Sequence, residues 1–338
     1  MTYYPFFSQQ DKRSGKFLLE SDSGVKLYAY MARHSPWDVR FVLPPEEQCE
    51  GGVDVGCDVL RSPPLAPDNL DRRLQWDPPW LRRVADCDLV LTQHEFLPIP
   101  LGALGRARVA LEVGIRPTTA WPETAGLFPL AWAAADLVHC NSATLARELR
   151  GRGVAARVWE FGYDDAVAVP RHVHRDVDVL FNSRCSATGY THHGAVLAAL
   201  SSLPLRCVAT DPTSYVRSRG GHACVPATPL TRDEYVDLLH RSKVVVGTAD
   251  NGYGGYAFQE AVAAGCLPVA LRRSEYEDLL GSGWPYLCEL SELRRCIASA
   301  CERMWSGVDA SRLSARIARC SYSEAWTVAR GDLEALCS

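Results

Sequence analysis

The chain has 338 residues, 47% of them apolar and 22% charged, the proportions of a globular protein with a substantial core and room for two domains. Its formal net charge of −4 excludes a generic polyanion binder, so any nucleic-acid contact would need a local basic patch. No apolar run approaches the ~20 residues that would span a bilayer.

TYYPFF reads as a strand, SQQDKRSGK as a loop, VKLYAYMARH as an amphipathic helix and DVRFVLP as a second strand. Residues 44–80, rich in Pro and Gly, read as a long excursion. DCDLVLTQHE (86–95) is a strand ending at His94 and Glu95, followed by strands in ARVALEV (107–113) and AADLVHCNS (134–142). Asn141 or Ser142 caps the next helix, SATLARELRGRG, by accepting from an unpaired amide. VAARVWEFGYDD then gives a strand and a turn, and near residue 166 the pattern restarts.

The second half runs through a strand in DVDVLFNS (176–183), a loop and helix in TGYTHHGAVLAALSSL, and a strand in LRCVATD (205–211). Next come a helix in TRDEYVDLLHRS with Thr231 or Asp233 near its cap, a strand in KVVVGTAD and a strand in CLPVALR. From SELRRCIASACERMW onward the pattern is helical. Near-continuous apolar strands separated by helices imply parallel sheets covered on both faces. Two such runs predict two doubly wound domains, 1–165 and 166–338, with a cleft between them.

The N-terminal residues lack a signal peptide's basic start, apolar centre and cleavage site. The 13 cysteines are scattered without C-x-x-C spacing, which indicates neither a disulfide framework nor a zinc site. Both readings predict a cytoplasmic chain with reduced thiols. His172 and His174 have a spacing a metal could use, but no third ligand is near in sequence.

NGYGGYAFQEAVAAGCLPVA (251–270) carries the chemistry. In an open parallel sheet, ligands sit at the carboxyl ends of strands. Glycines after KVVVGTAD let backbone amides approach an anion, and the helix that follows offers unpaired N–H groups to a phosphate. A carboxylate one turn in, Glu260, can accept from a ribose diol. The alternative is a tight turn with Glu260 as a first-turn partner of the helix dipole.

The stretch YVDLLHRSKVVVGTADNGYGGYAFQEAVAAGCLPVALRRSEYEDLL resembles the C-terminal signature of group-1 type nucleotide-sugar glycosyltransferases of GT-B fold, with their "EA-x-A-x-G-x-PV" run at Glu260–Val269. AADLVHCNSATLARELRGRGV, EFGYD (160–164), DVDVLFNSR and DLVLTQH resemble further parts of the same pattern in the same order. The likeness covers roughly the last two-thirds of the chain; residues 44–80 and the N-terminal loop depart from it.

That resemblance implies an α/β GT-B chain that moves a sugar from a nucleoside-diphosphate sugar to an acceptor hydroxyl, with no cofactor and no bound metal. It implies donor contacts from Arg184, Asp250, Gly252, Gly254, Gly255, Tyr256 and Glu260. The family's second glutamate would fall at position 252, which is Gly here, and Asp250 stands in for it. The family's lysine after the arginine is missing, and His192 and His193 take its place as phosphate contacts.

His94 and Glu95, at a strand end, are the candidates to position or deprotonate an acceptor hydroxyl. Glu112, at the end of VALEV, is either a second base or a paired structural acid. RRLQWDPPWLRRV (72–84) joins four arginines to Trp76 and Trp80, either as an acceptor surface or as an anchored loop with solvated cations. Ser14 and Gly15 are further candidate acceptor contacts.

The acceptor is left open among a small molecule, a lipid-linked glycan and a protein. A modified base in DNA or RNA, read by the Arg/Trp segment, is an alternative, as is a non-catalytic nucleotide- or sugar-binding module. No G-x-G-x-x-G follows the first strand, which argues against a Rossmann dehydrogenase.

Overall fold

The structure is a computed structural model that describes residues 1–4, 16–19, 23–64, 78–93, 107–114, 128–182, 192–210, 223–224, 230–249, 254–303 and 307–338. The chain forms two compact units. One comprises Met1–Asn141, Ala146–Trp159 and Trp326–Ser338, the other Ser142–Leu145 and Glu160–Ala325. Among the described residues no helix is long and apolar enough to cross a membrane.

The first unit contains, in chain order, β1 (Thr2–Tyr4), β2 (Phe17–Leu18), α1 (Ser23–His34), β3 (Arg40–Leu43), β4 (Cys49–Glu50), β5 (Asp58–Arg61), α2 (Pro78–Val84), β6 (Leu89–Thr92), β7 (Arg108–Val113), α3 (Phe128–Ala134), β8 (Leu137–Cys140), all but the first three residues of α4 (Ala143–Gly151), and β9 (Arg157–Val158). Among the described residues its main sheet has the order β5-β3-β1-β6-β7-β8-β9. Every pairing in it is parallel. In α1, Val25, Tyr28, Ala29 and Ala32 are buried, the spacing of one helix face. Ser142 caps α4, its Oγ accepting from the Leu145 amide at 3.0 Å.

The excursion expected over 44–80 needs correction in its middle and at its C-terminal end. Residues 58–61 are an edge strand, registered against β3 from Arg40↔Asp58 to Leu43↔Arg61. Only Leu60 of its four residues is buried, so backbone pairing rather than a side-chain pattern makes it a strand. The Pro78–Pro79 pair opens α2, where a missing N–H costs nothing.

The second unit contains α5 (Asp165–Ala168), β10 (Val177–Asn182), α6 (His193–Ser201), β11 (Cys207–Thr210), β12 (Ala223–Cys224), α7 (Arg232–Arg241), β13 (Ser242–Gly247), α8 (Tyr256–Ala263), β14 (Leu267–Leu271), α9 (Ser274–Leu280), β15 (Leu287–Cys288), α10 (Leu293–Glu302), α11 (Gly307–Ile317) and the start of α12 (Tyr322–Cys337). Its sheet order is β12-β11-β10-β13-β14-β15, again parallel throughout. Both sheets therefore have the doubly wound order, which reverses direction between β1 and β6 in the first and between β10 and β13 in the second.

Alternate residues of β13 face opposite cores. Val245 packs with Leu239, Phe258, Ala261 and Tyr276. Val244 and Val246 pack with Val196, Leu200, Leu293 and Ile297. The sequence boundary was drawn at 165/166; the units divide between Trp159 and Glu160, and Trp326–Ser338 returns to the first unit. There the Trp326 ring meets Trp37 edge-on at 6.2 Å, and Trp159 Nε1 donates to Asp332 at 2.8 Å.

Candidate functional site

Gly247 ends β13 beneath two aromatic rings. A Cβ there would lie 2.7 Å from Phe258 and 2.9 Å from Tyr276, whose rings meet edge-on at 4.9 Å. The Tyr276 hydroxyl accepts from the Ala249 amide at 2.9 Å and donates to the Gly254 carbonyl at 3.2 Å. Gly254 and Gly255 have φ of 77° and 83°, a backbone region that other residues rarely enter. Gly255 is the N-cap of α8, so the Gly-Gly pair turns the chain directly into the helix.

The far end of α8 explains another glycine of the motif. Gly265 N donates to the Val262 carbonyl at 3.0 Å and Cys266 N to Ala261 at 2.9 Å, with Gly265 at φ 89°. This is a Schellman closure, and its left-handed position is why the run carries Gly there. Arg175 adds a cation at the same helix end, donating to the carbonyls of Ser242 and, at 2.9 Å, Ala264.

No acidic residue stands in the first turn of α8. Glu260 is one turn further in and only 5% exposed, so the reading of it as a first-turn dipole partner is corrected. Its Oε1 accepts from Arg232 Nη1 at 2.9 Å, and its Oε2 accepts from the Tyr235 hydroxyl at 2.8 Å. Asn182 Nδ2 donates to the Tyr235 oxygen at 3.0 Å. Arg232 also lies over the Tyr235 ring, 5.6 Å from its centroid.

Electrostatics keep Arg232 charged and the Tyr235 phenol neutral. Burial works against the Arg232 cation, but the Glu260 charge and hydrogen bond outweigh it and raise its pKa. Burial, reinforced by the Glu260 charge, pushes the Tyr235 phenol well above its usual range. Arg232 and Tyr235 both sit on α7, whose start is set by a capping box. Thr231 Oγ1 accepts from Glu234 N at 3.3 Å, and Glu234 Oε2 accepts from Thr231 N at 2.8 Å. Of the two cap residues expected there, the structure uses Thr231.

Three elements thus converge at the carboxyl edge of the second sheet: Asn182 from the end of β10, Tyr235 and Arg232 from α7, and Glu260 from α8. The crossing from β10 to β13 is the point where an open α/β sheet binds its ligands. Asn182, Arg232 and Tyr235 were not singled out from the sequence. The signal available was an Arg and a Tyr at i,i+3, one helix face, immediately after a recognised cap.

Of the expected donor residues, Gly254, Gly255, Tyr256 and Glu260 come together here. Tyr256 is the half-buried first residue of α8. His192 is half-buried at the N-cap of α6, without a side-chain cap bond, and His193 is the helix's first residue. Arg184, Asp250 and Gly252 lie outside the described residues, as do Ser14, Gly15, Trp76, His94 and Glu95. His172 and His174 are exposed.

In the first unit, Glu112 is 3% exposed near the end of β7. Gln93 Nε2 donates to its Oε2 at 2.6 Å. Burial pushes its pKa up to about 7, with the Gln93 and Tyr28 side chains pulling the other way. Across the sheet Glu112 is registered with His139, whose ring stacks on Trp159 at 3.6 Å. Burial holds the His139 pKa well below the usual range, so that imidazole is neutral. Trp80, read as either an acceptor surface or a loop anchor, is 5% exposed with Arg83 over its ring at 5.8 Å, the burial of an anchor.

No protein-family model matches the chain, and no curated protein matches it by sequence. Solved structures match by shape. The Anabaena protein Alr3699/HepE, solved in complex with UDP and glucose, is 14% identical, with a TM-score of 0.71 over 99% of each chain. The N-terminal domain of the Candida albicans trehalose-6-phosphate phosphatase is 9% identical, with a TM-score of 0.71 over 99% of this chain and 96% of that one. An alpha,alpha-trehalose-phosphate synthase (UDP-forming) from Burkholderia vietnamiensis is 14% identical, with a TM-score of 0.60 over 79% of each. The two parallel, doubly wound units and the likenesses to the Anabaena and Candida albicans structures over 99% of this chain establish the GT-B fold.

Proposed function

We propose that the chain is a glycosyltransferase that moves a sugar from a nucleoside diphosphate, with uridine diphosphate the first candidate, to an acceptor hydroxyl without a bound metal ion. The observation that carries this reading is the Glu260 carboxylate, held by Arg232 and Tyr235 behind the Gly254–Gly255 turn at the switch point of the second sheet. A carboxylate faced by donors suits the two hydroxyls of a ribose, and the adjoining helix start suits the diphosphate. The complexes of HepE with UDP point to the same class of nucleotide.

On this reading the leaving diphosphate is stabilised by the α8 N-terminus and Arg184, and by His192 and His193 in place of a lysine. The acceptor hydroxyl is positioned and deprotonated by His94 or Glu95. Glu112, sealed at 3% exposure, supports that strand end rather than touching the acceptor. The acceptor is a small molecule, a glycan or a protein.

The test is a thermal-shift panel of UDP, GDP, ADP and dTDP and their sugar conjugates on wild type and Glu260→Gln. A nucleotide at 100 times its Kd stabilises the folded state by about 2.7 kcal/mol. The expected result is one nucleotide series that shifts the wild type and shifts the variant far less. A wild type that no nucleotide shifts overturns the proposal, leaving the fold and removing the chemistry.

A further inference from the structure

We infer that Asn182, Tyr235 and Arg232 are positioning residues that fix Glu260 as the reader of the donor's ribose diol, an inference that rests on the donor site proposed above. The reason is the direction of two protons. A phenol carries one proton and two acceptor lone pairs. Asn182 Nδ2 donates to the Tyr235 oxygen at 3.0 Å, so the single Tyr235 proton is left to Glu260 Oε2, 2.8 Å away. Arg232 donates to Oε1 at 2.9 Å and, as a guanidinium, has no acceptor to offer in return. Both carboxylate oxygens are therefore met by donors whose hydrogens have one direction.

An ordinary stabilising ion pair has no need of this arrangement. A largely buried pair gains little over well-packed apolar groups, because both ions give up their water. Here the side chains of Glu260 and Arg232 are 7% and 27% exposed, and a fourth polar residue, Asn182 from the end of β10, is spent on orienting Tyr235. The cluster also sits at the sheet's switch point. What it produces is an ionised acceptor at a set angle, which recognises hydroxyl donors. A vicinal diol presents two of them, and a deoxy sugar fewer.

The experiment compares the affinity of uridine diphosphate with that of 2′,3′-dideoxyuridine diphosphate by isothermal titration, for wild type, Tyr235→Phe and Asn182→Ala, with melting temperatures recorded alongside. Wild type is expected to prefer the ribose form by about tenfold or more, the worth of hydrogen bonds to a charged group. Tyr235→Phe, which removes the fixed proton, is expected to reduce that preference to about threefold or less. Asn182→Ala leaves both Tyr235 and Glu260 in place and is expected to reduce it by a smaller factor; it also carries the test if Tyr235→Phe does not fold. A merely structural role would lower the melting temperatures and leave the ratio of the two affinities unchanged, and that result overturns the inference. Wild type that binds both nucleotides equally also overturns it while leaving the donor site standing. Wild type that binds neither removes the donor site as well.

Discussion

The Tyr276 hydroxyl donates to the Gly254 carbonyl at 3.2 Å while accepting from the Ala249 amide at 2.9 Å, so one buried side chain ties Ala249, just past β13, to Gly254, just before α8. The ring is wholly buried, and Gly254 rests against it at a virtual Cβ distance of 3.1 Å. Tyr276→Phe keeps the packing and removes the tie, leaving a buried amide and a carbonyl short of a partner. The expected cost is about 1–3 kcal/mol of stability, read from urea unfolding with an unchanged slope. Nucleotide affinity should weaken as well, because the Gly254–Gly255 turn loses its tie to Tyr276. An unchanged affinity would detach this turn from donor binding.

Gly247 makes a second, steric prediction. Its missing side chain is what lets Phe258 and Tyr276 close over the end of β13, with a Cβ position only 2.7 Å from one ring. Gly247→Ala should cost about 1–3 kcal/mol through overpacking and displace the start of α8. Gly194, beside which a Cβ would meet nothing within 4 Å, provides the control. Gly194→Ala lies inside helix α6 and should be neutral or stabilising. Equal melting temperatures for the two variants would contradict the packing account.

Gly265 tests backbone conformation. Its φ of 89° closes the Schellman turn after α8, and Arg175 Nη2 lies 2.7 Å from where a Cβ would stand. Gly265→Ala should cost about 1–3 kcal/mol. Gly265→Asn should cost less than Ala in spite of its larger side chain, since asparagine tolerates the left-handed region. The reverse order in a denaturation series would assign the effect to side-chain volume instead.

Glu112 gives a pH dependence. Its pKa in the folded chain is about 7, above the ordinary 4.5, because burial disfavours the carboxylate. Between those pH values the folded chain keeps a proton that the unfolded chain has released. This stabilising contribution is therefore complete below about pH 4.5 and is lost as pH rises through about 7. The shift corresponds to on the order of 3 kcal/mol. Glu112→Gln stays neutral and can still accept from Gln93, so its stability relative to wild type should rise from pH 5 to pH 8. Parallel urea-derived stabilities across that range would show that Glu112 does not titrate on unfolding.

Much of the site was legible because its signals are local. Thr231 with Glu234 spells a helix start, and Gly254, Gly255 and Gly265 mark backbone turns that other residues disfavour. The strand at 58–61 was not legible, since three of its four residues are not buried and its identity comes from pairing with β3. The same holds for the last turns of the chain. Their helical pattern is plain, but Trp326 and Asp332 join the first unit through Trp37 and Trp159, far away in sequence.

By itself the sequence determined the alternation of apolar strands and helices, and with it the two doubly wound sheets, because side-chain periodicity and capping act over a few residues. It also determined where the glycines must lie. Only the tertiary structure decided what surrounds Glu260. Its partners Arg232 and Tyr235 lie 28 and 25 residues away, and Asn182 a further 53 residues before Tyr235, brought together by the order of strands in the sheet. The state of Glu112 was decided in the same way: a glutamate in VALEV is an ordinary acid until the sheet and α1 take it out of water and raise its pKa to about 7.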